Sequence, residues 1–215
     1  KVVIAFPDRV KGGAHARAHR KVAIPLILKT LQEAGVKKEN ISLLCAVGLH
    51  RHNTLLELDG YLGRDIVDSF YPERLLMHDA ADPAGVLDLG TDGMGSAVTC
   101  NRRIAEADLP ILIGHVQGNP YGGYSGGYKM VVTGLTSWKS IRCHHCPATM
   151  HRDDFIPIST HSRMREQFDS IGRAIEKGMG KKFFTVDAVL GTQAQVLGVY
   201  AGAIEEVQRA SWPLA

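Results

Sequence analysis

The chain has 215 residues, 45% hydrophobic and 22% charged, enough apolar material for one sizeable core and too much for a disordered segment. Its formal charge of +3 comes from lysine, arginine, aspartate and glutamate mixed along the sequence, with no block of one sign to mark a nucleic-acid or membrane surface. Four cysteines, no apolar run of membrane-spanning length and no secretory leader give the expectation of a reduced, cytoplasmic protein.

In chain order, apolar runs alternate between strand and helix character. KVVIAF (1–6), ISLLCAVG (41–48) and LPILIGH (109–115) read as buried strands, nearly continuous in Val, Ile and Leu, as parallel strands covered on both faces should be. AHRKVAIPLILKTLQEAG (18–35) is amphipathic and closed by Gly35, with Pro25 predicting a kink or a late start. TLLELDGYLG and DIVDSF read as short helices, and VLDLGTDGMGSAVTC (86–100) as two strands around a glycine-rich turn. A further helix is predicted from Ser162 to Gly178, then a hairpin around GTQA within residues 182–202, then a last helix from Ala203. The alternation predicts a single α/β domain of three layers over residues 1–215, with a mostly parallel sheet and a C-terminal hairpin.

In such a fold ligands sit at the carboxyl ends of parallel strands. Three polar clusters fall there: PDRVK after the first strand, GLHRHN after the second, and GNPYGGYSGGYK (118–129) after LPILIGH. Singly, Asp8 reads equally well as a helix cap and His50 as a loop histidine; together the three clusters point to a site. The last places five glycines in twelve residues before Lys129, bare backbone suited to a phosphate or a flat cofactor. Its spacing is not that of a phosphate-binding P-loop, because Tyr128 precedes the lysine and Met130 follows it, and no G-x-G-x-x-G follows the first strand. In RCHHCPATMH, residues Cys143, His144, His145 and Cys146 set two thiols and two imidazoles side by side. Cys45 and Cys100 are single, so one of the four as a lone protein ligand fits better than a zinc knuckle. Asp153 and Asp154 read as a polar loop that could buttress His145, and Trp138 and Trp212 as core or interface residues.

FPDRVK, AVGLHRHN, LGTDGMGSAVTCNRRIAEADL, GGYSGGYKMVVTGL and the histidine sixteen positions beyond the lysine occur in order, and together they resemble the N-terminal domain of the nickel-dependent lactate racemase family. The resemblance implies a nickel-pincer nucleotide, a pyridinium mononucleotide gripping nickel through two sulfurs and a ring carbon, joined as a thioamide to Lys129. It implies His145 as the nickel ligand and His50 as one of two catalytic bases. Asp8, Lys11, Gly122, Gly123, Ser125, Gly126 and Gly127 become cofactor-binding candidates, with Arg9 and Lys11 available to a phosphate. The reaction implied is inversion at the α-carbon of a 2-hydroxy acid. A base takes the hydroxyl proton while the α-hydrogen leaves as hydride to the cofactor, so that no charge accumulates beside the carboxylate.

Two positions depart from the family pattern. The histidine expected ten residues before the lysine is Asn119, which can orient a hydroxyl but cannot take its proton at neutral pH. The arginine expected near the first strand is Lys11, which keeps the charge without the bidentate fork. Either a nearby histidine (His52, His115 or His144) serves as second base, or the substrate is a larger hydroxy acid, or the protein transfers hydride one-sidedly or not at all; a different substrate is the favoured expectation. Family members carry a C-terminal domain that closes over the cofactor, and the chain is expected to need one for activity. Cofactor-building enzymes are expected partners, and an oligomer is possible. The competing class is a non-catalytic metal- or nucleotide-binding module, with reversible metal binding at 143–146 and no adduct on Lys129.

Overall fold

The first strand, β1 (Val2–Pro7), is buried along its whole length in the computed structural model, which describes residues 1–13, 15–151, 158 and 160–215. Its side chains alternate between two cores: Val2, Ile4 and Phe6 pack on one face of the sheet, Val3 and Ala5 on the other. Helix α1 (His19–Glu33) covers the first face and runs through Pro25, so the proline neither delays nor ends it. The helix closes where predicted, the Val36 amide turning back to the Leu31 carbonyl past Gly35. Strand β2 (Ile41–Ala46) pairs parallel to β1, and α2 (Leu55–Leu62) follows behind a reciprocal cap between Thr54 and Glu57. Next come α3 (Arg64–Phe70) and the short edge strand β3 (Leu75–Met77).

The predicted strand pair is present as β4 (Val86–Thr91) and β5 (Ala97–Asn101), an antiparallel ribbon outside the main sheet. One helical turn, α4 (Arg102–Ala105), leads into β6 (Leu109–Val116), parallel to β1 on the side away from β2. A two-residue ribbon, β7 (Gly118–Asn119) with β8 (Gly123–Tyr124), precedes α5 (Tyr128–Gly134), α6 (Trp138–His144) and α7 (Pro147–Met150). Helix α8 (Arg163–Met179) is capped by the Ser162 hydroxyl and ends at Gly180. The closing hairpin is β9 (Phe184–Leu190) and β10 (Val196–Ala203), followed by α9 (Ile204–Ser211).

The six-stranded sheet has the order β10-β9-β6-β1-β2-β3, all pairs parallel except β9 with β10. The predicted mostly parallel sheet with a C-terminal antiparallel pair is thus the observed fold. Helices α1 to α3 lie against one face, while α5, α8 and the β4–β5 ribbon lie against the other. Chain order reverses between β1 and β6, so a crevice opens beyond the carboxyl ends of β1, β2 and β6. Among the described residues no helix is long and apolar enough to cross a membrane.

Candidate active site

That crevice is a cavity of about 350 Å³ whose walls include Asp8, Lys11, His50, Asn119, Lys129 and His145. A larger hollow of about 620 Å³ lies between α1 and the β9–β10 hairpin, but its walls are mainly aliphatic and hold none of these residues. Convergent polar groups mark the smaller cavity as the candidate site.

Asp8 leaves the end of β1 and is 2% exposed. Its carboxylate meets His50 Nδ1 at 2.6 Å and also accepts the Val10 amide. A carboxylate only accepts, so His50 Nδ1 carries the proton and its Nε2 lone pair is left on the exposed side of the ring. The two loops are tied together beneath this pair, where the Asn53 side-chain oxygen accepts both the Arg9 amide and the Tyr61 hydroxyl. Buried Arg20 stacks on Tyr61 and donates to the Lys11 and Gly13 carbonyls, which positions Lys11 at the cavity. Gly12 is required there: its φ is +72°, and a Cβ would meet the His19 ring at 2.3 Å.

Lys129 stands in the first turn of α5, not in the glycine loop where the sequence placed it, because the helix begins one residue earlier. Its half-buried amine has Lys11 and Arg165 as neighbours and no carboxylate pair among the described residues. Burial first, then those two cations, pulls it down to about 7. Lysine lowered this way binds fewer protons in the folded than in the unfolded chain between pH 7 and 10.5. The cation penalty is therefore complete below about pH 7 and gone above 10.5, and stability rises with pH across that window. Lys129→Met is expected to stabilise the chain by about 2 kcal/mol at pH 6, after allowance for water at the cavity mouth, and by little at pH 10. Urea unfolding of both proteins at the two pH values measures this; equal gains at both would refute the assignment.

His145 ends α6 with its ring exposed, and its Nδ1 lies 2.6 Å from Nδ1 of buried His144. Desolvation, then Lys129, His50 and Lys11, hold His145 below its ordinary value, so a neutral imidazole faces the cavity. Among the described residues no three His, Cys, Asp or Glu side chains converge as a metal cage. Cys143 donates to the Lys139 carbonyl and Cys146 contacts Thr149. Asp153 and Asp154 lie outside the described residues.

Of the glycine-loop candidates, Ser125 and Gly126 line the cavity, while Gly122, Gly123 and Gly127 do not. The loop satisfies much of its own polarity internally. Gly127 donates to the buried Asp187 carboxylate at 2.8 Å, and the Gly122 and Tyr121 amides go to Asn119 Oδ1. Ser125 exchanges hydrogen bonds with Gln117. On the other side of the loop, Arg165 takes the carbonyls of Gly122 and Tyr124. Asp187 sets a steric limit as well, since a Cβ on Gly126, whose φ is +76°, would come within 2.8 Å of it.

Asn119 therefore has its side-chain oxygen committed to the turn, which leaves its Nδ2 as a donor. Arg9 pairs with Glu57 at 3.3 Å. Of the histidines considered as a second base, His52 meets the His78 carbonyl and His144 is buried behind His145, whereas His115 lines the cavity. Trp212 stacks on Tyr124 and Trp138 is surface-exposed. Arg165, Asp187 and Asn53 were missed from the sequence: they act across dozens of residues, and no local motif marks them.

The family profile described as the lactate racemase N-terminal domain matches residues 1–155, 72% of the chain. The chain belongs to that family. It is 28% identical over 194 residues to the lactate racemase of Lactiplantibacillus plantarum and 30% identical over 126 residues to that of Thermoanaerobacterium thermosaccharolyticum. Those alignments take in 87% and 59% of this chain but 42% and 29% of the relatives, so the chain spans less than half of their length. The fold is shared with the lactate racemase apoprotein of T. thermosaccharolyticum, with a TM-score of 0.84 at 22% identity over 99% of this chain and 48% of the other. A Thermotoga maritima protein also superimposes, with a TM-score of 0.78 at 19% identity over 100% of this chain and 53% of that one. In this lactate racemase-type domain the blocks FPDRVK, AVGLHRHN and GGYSGGYK each contribute residues to the walls of the smaller cavity.

Proposed function

We propose that residues 1–215 form the cofactor-holding domain of a 2-hydroxy acid racemase or epimerase, completed by a further domain corresponding to the extra length of its relatives. The observation that carries the reading is the convergence of the His50–Asp8 pair, Lys129 and His145 on one cavity from four separate segments.

The residues present fit a lysine-tethered nickel-pincer nucleotide. An amine lowered to about 7 is about half uncharged near neutrality and is a competent nucleophile for acylation, which also removes a cation from a site already holding Lys11 and Arg165. The neutral His145 ring offers a nitrogen donor to a borderline metal. When bound, the cofactor supplies a hydride acceptor, which spares the substrate a carbanion beside its carboxylate. His50 Nε2, held by Asp8, takes the hydroxyl proton and returns it to the carbonyl oxygen. Lys11 faces the substrate carboxylate as a point charge, and Asn119 Nδ2 donates to a substrate oxygen. Neither side chain replaces a second base, which favours a hydroxy acid other than lactate, bound in a pose suited to this polar set.

Asn119 supports a second reading. With its oxygen fixed in the turn and no imidazole at that position, a domain that moves hydride on one face only is the alternative.

The protein, co-produced with the cofactor-building enzymes of the family, is expected to show a nickel-bearing mass adduct that Lys129→Ala abolishes completely. Intact mass and nickel content decide it. An unmodified, nickel-free wild-type chain would overturn the proposal in favour of a binding module.

A further inference from the structure

Beside the candidate ligand His145 sits His144, a fully buried imidazole to which the reading above gives no task. Its ring packs edge-on against Phe168, with centroids 4.9 Å apart at 71°. The backbone that carries both rings is held from three sides. His145 N–H donates to the Ile141 carbonyl, Thr149 Oγ1 to the His144 carbonyl at 2.9 Å, and Gln167 Nε2 to the Cys143 carbonyl at 2.7 Å. The backbone under the two rings is therefore fixed, and their Nδ1 atoms lie 2.6 Å from each other.

At that separation one proton lies between the two nitrogens, and it belongs to one ring or the other. If His144 donated, its Nε2 would be a bare lone pair in the apolar interior. No hydrogen-bond partner reaches that atom, and the backbone group that acts on the His144 ring is the Val132 carbonyl, itself an acceptor. A buried lone pair with only an acceptor near its ring is an unsatisfied arrangement. If His145 donates, His144 carries its proton on Nε2, and a ring that keeps an N–H there is the form that the Val132 carbonyl favours. A cationic His144 would need a buried counter-ion, and its ring neighbours are His145 and Phe168.

We propose that His144 is a positioning residue: its Nδ1 accepts the Nδ1–H of His145 and so presents the His145 Nε2 lone pair to the cavity as the metal donor. This rests on the reading of His145 as the ligand and assigns the mechanism that sets its tautomer. Ligand imidazoles are commonly oriented by a carboxylate or a carbonyl acting on the far nitrogen; here a second imidazole, itself backed by a carbonyl, has that place.

The test is the nitrogen-15 long-range correlation spectrum of the labelled, unmodified chain, in which each ring's tautomer is read directly. The expected result is His145 protonated on Nδ1 and His144 on Nε2. His144→Asn, whose side-chain oxygen can accept, is expected to keep the His145 tautomer. His144→Leu is expected to shift it toward Nε2–H and, in the loaded protein, to speed nickel loss to a chelator by about 10–100-fold. Wild-type His145 protonated on Nε2, or an unchanged His145 tautomer in His144→Leu, overturns the proposal. The wild-type spectrum decides even where the leucine variant fails to fold. Absence of an adduct on Lys129 would sink the functional reading instead, and the tautomers would still be measurable.

Discussion

Asp8→Asn is expected to lower the turnover of the loaded enzyme by about 10²–10⁴-fold while nickel content and the Lys129 adduct stay at wild-type levels. The size follows from the 2.6 Å contact between Asp8 and His50 Nδ1. An amide in place of the carboxylate can donate to Nδ1, which moves the imidazole proton to Nε2 and removes the lone pair that faces the cavity. His50→Ala should fall as far, and the double variant little further, since the two residues act as one unit. Steady-state rates with the cofactor quantified in the same samples separate this from a binding role. Loss of nickel in step with rate would return Asp8 to the cofactor-binding set, and a rate within threefold of wild type would end the assignment of His50 as base.

The largest structural effect is expected at Arg165. Its side chain is 0% exposed, lies between Phe168 and Trp212, and holds the carbonyls of Gly122 and Tyr124 that shape the loop before Lys129. Arg165→Leu strands those acceptors and leaves Asp169 without its 3.4 Å partner, at a cost of about 3 kcal/mol. For a chain of this size the unfolding midpoint should fall by roughly 6–12 °C. Arg165→Lys should recover little, since an ammonium lacks the planar fork that reaches both carbonyls. The change also removes one of the cations that depress Lys129, so the pH midpoint for acylation of that amine should rise above 7. Calorimetry together with the pH dependence of Lys129 modification tests both consequences. An unaltered melting temperature would show that the loop needs no clamp.

Much of the layer structure was legible in the residues. Continuous apolar runs such as VVIAF and LPILIG declare strands covered on both faces, and the alternation of Val2, Ile4 and Phe6 against Val3 and Ala5 is the direct cause of two cores. The end of α1 at Gly35 and the start of α8 at Ser162 were equally plain, because caps act within a few residues. The first turn of α5 was not. Glycines up to Gly127 and the β-branched Val131, Val132 and Thr133 argue against a helix locally, yet packing of α5 against α8 overrides them.

The sequence by itself determined the alternation of strands and helices, the polar clusters at the strand ends, and the blocks that resemble the family. Only the tertiary structure decided what those residues do to one another. Asp8 became the partner of His50, the amides of the glycine loop were claimed by Asp187 and Asn119, and Lys129 came to share its surroundings with two cations. The reason is the range of the forces. Hydrophobic periodicity and capping act within a few residues and leave a local record, whereas electrostatics and buried hydrogen bonds act between segments such as Gly127 and Asp187 that meet only after the sheet has formed.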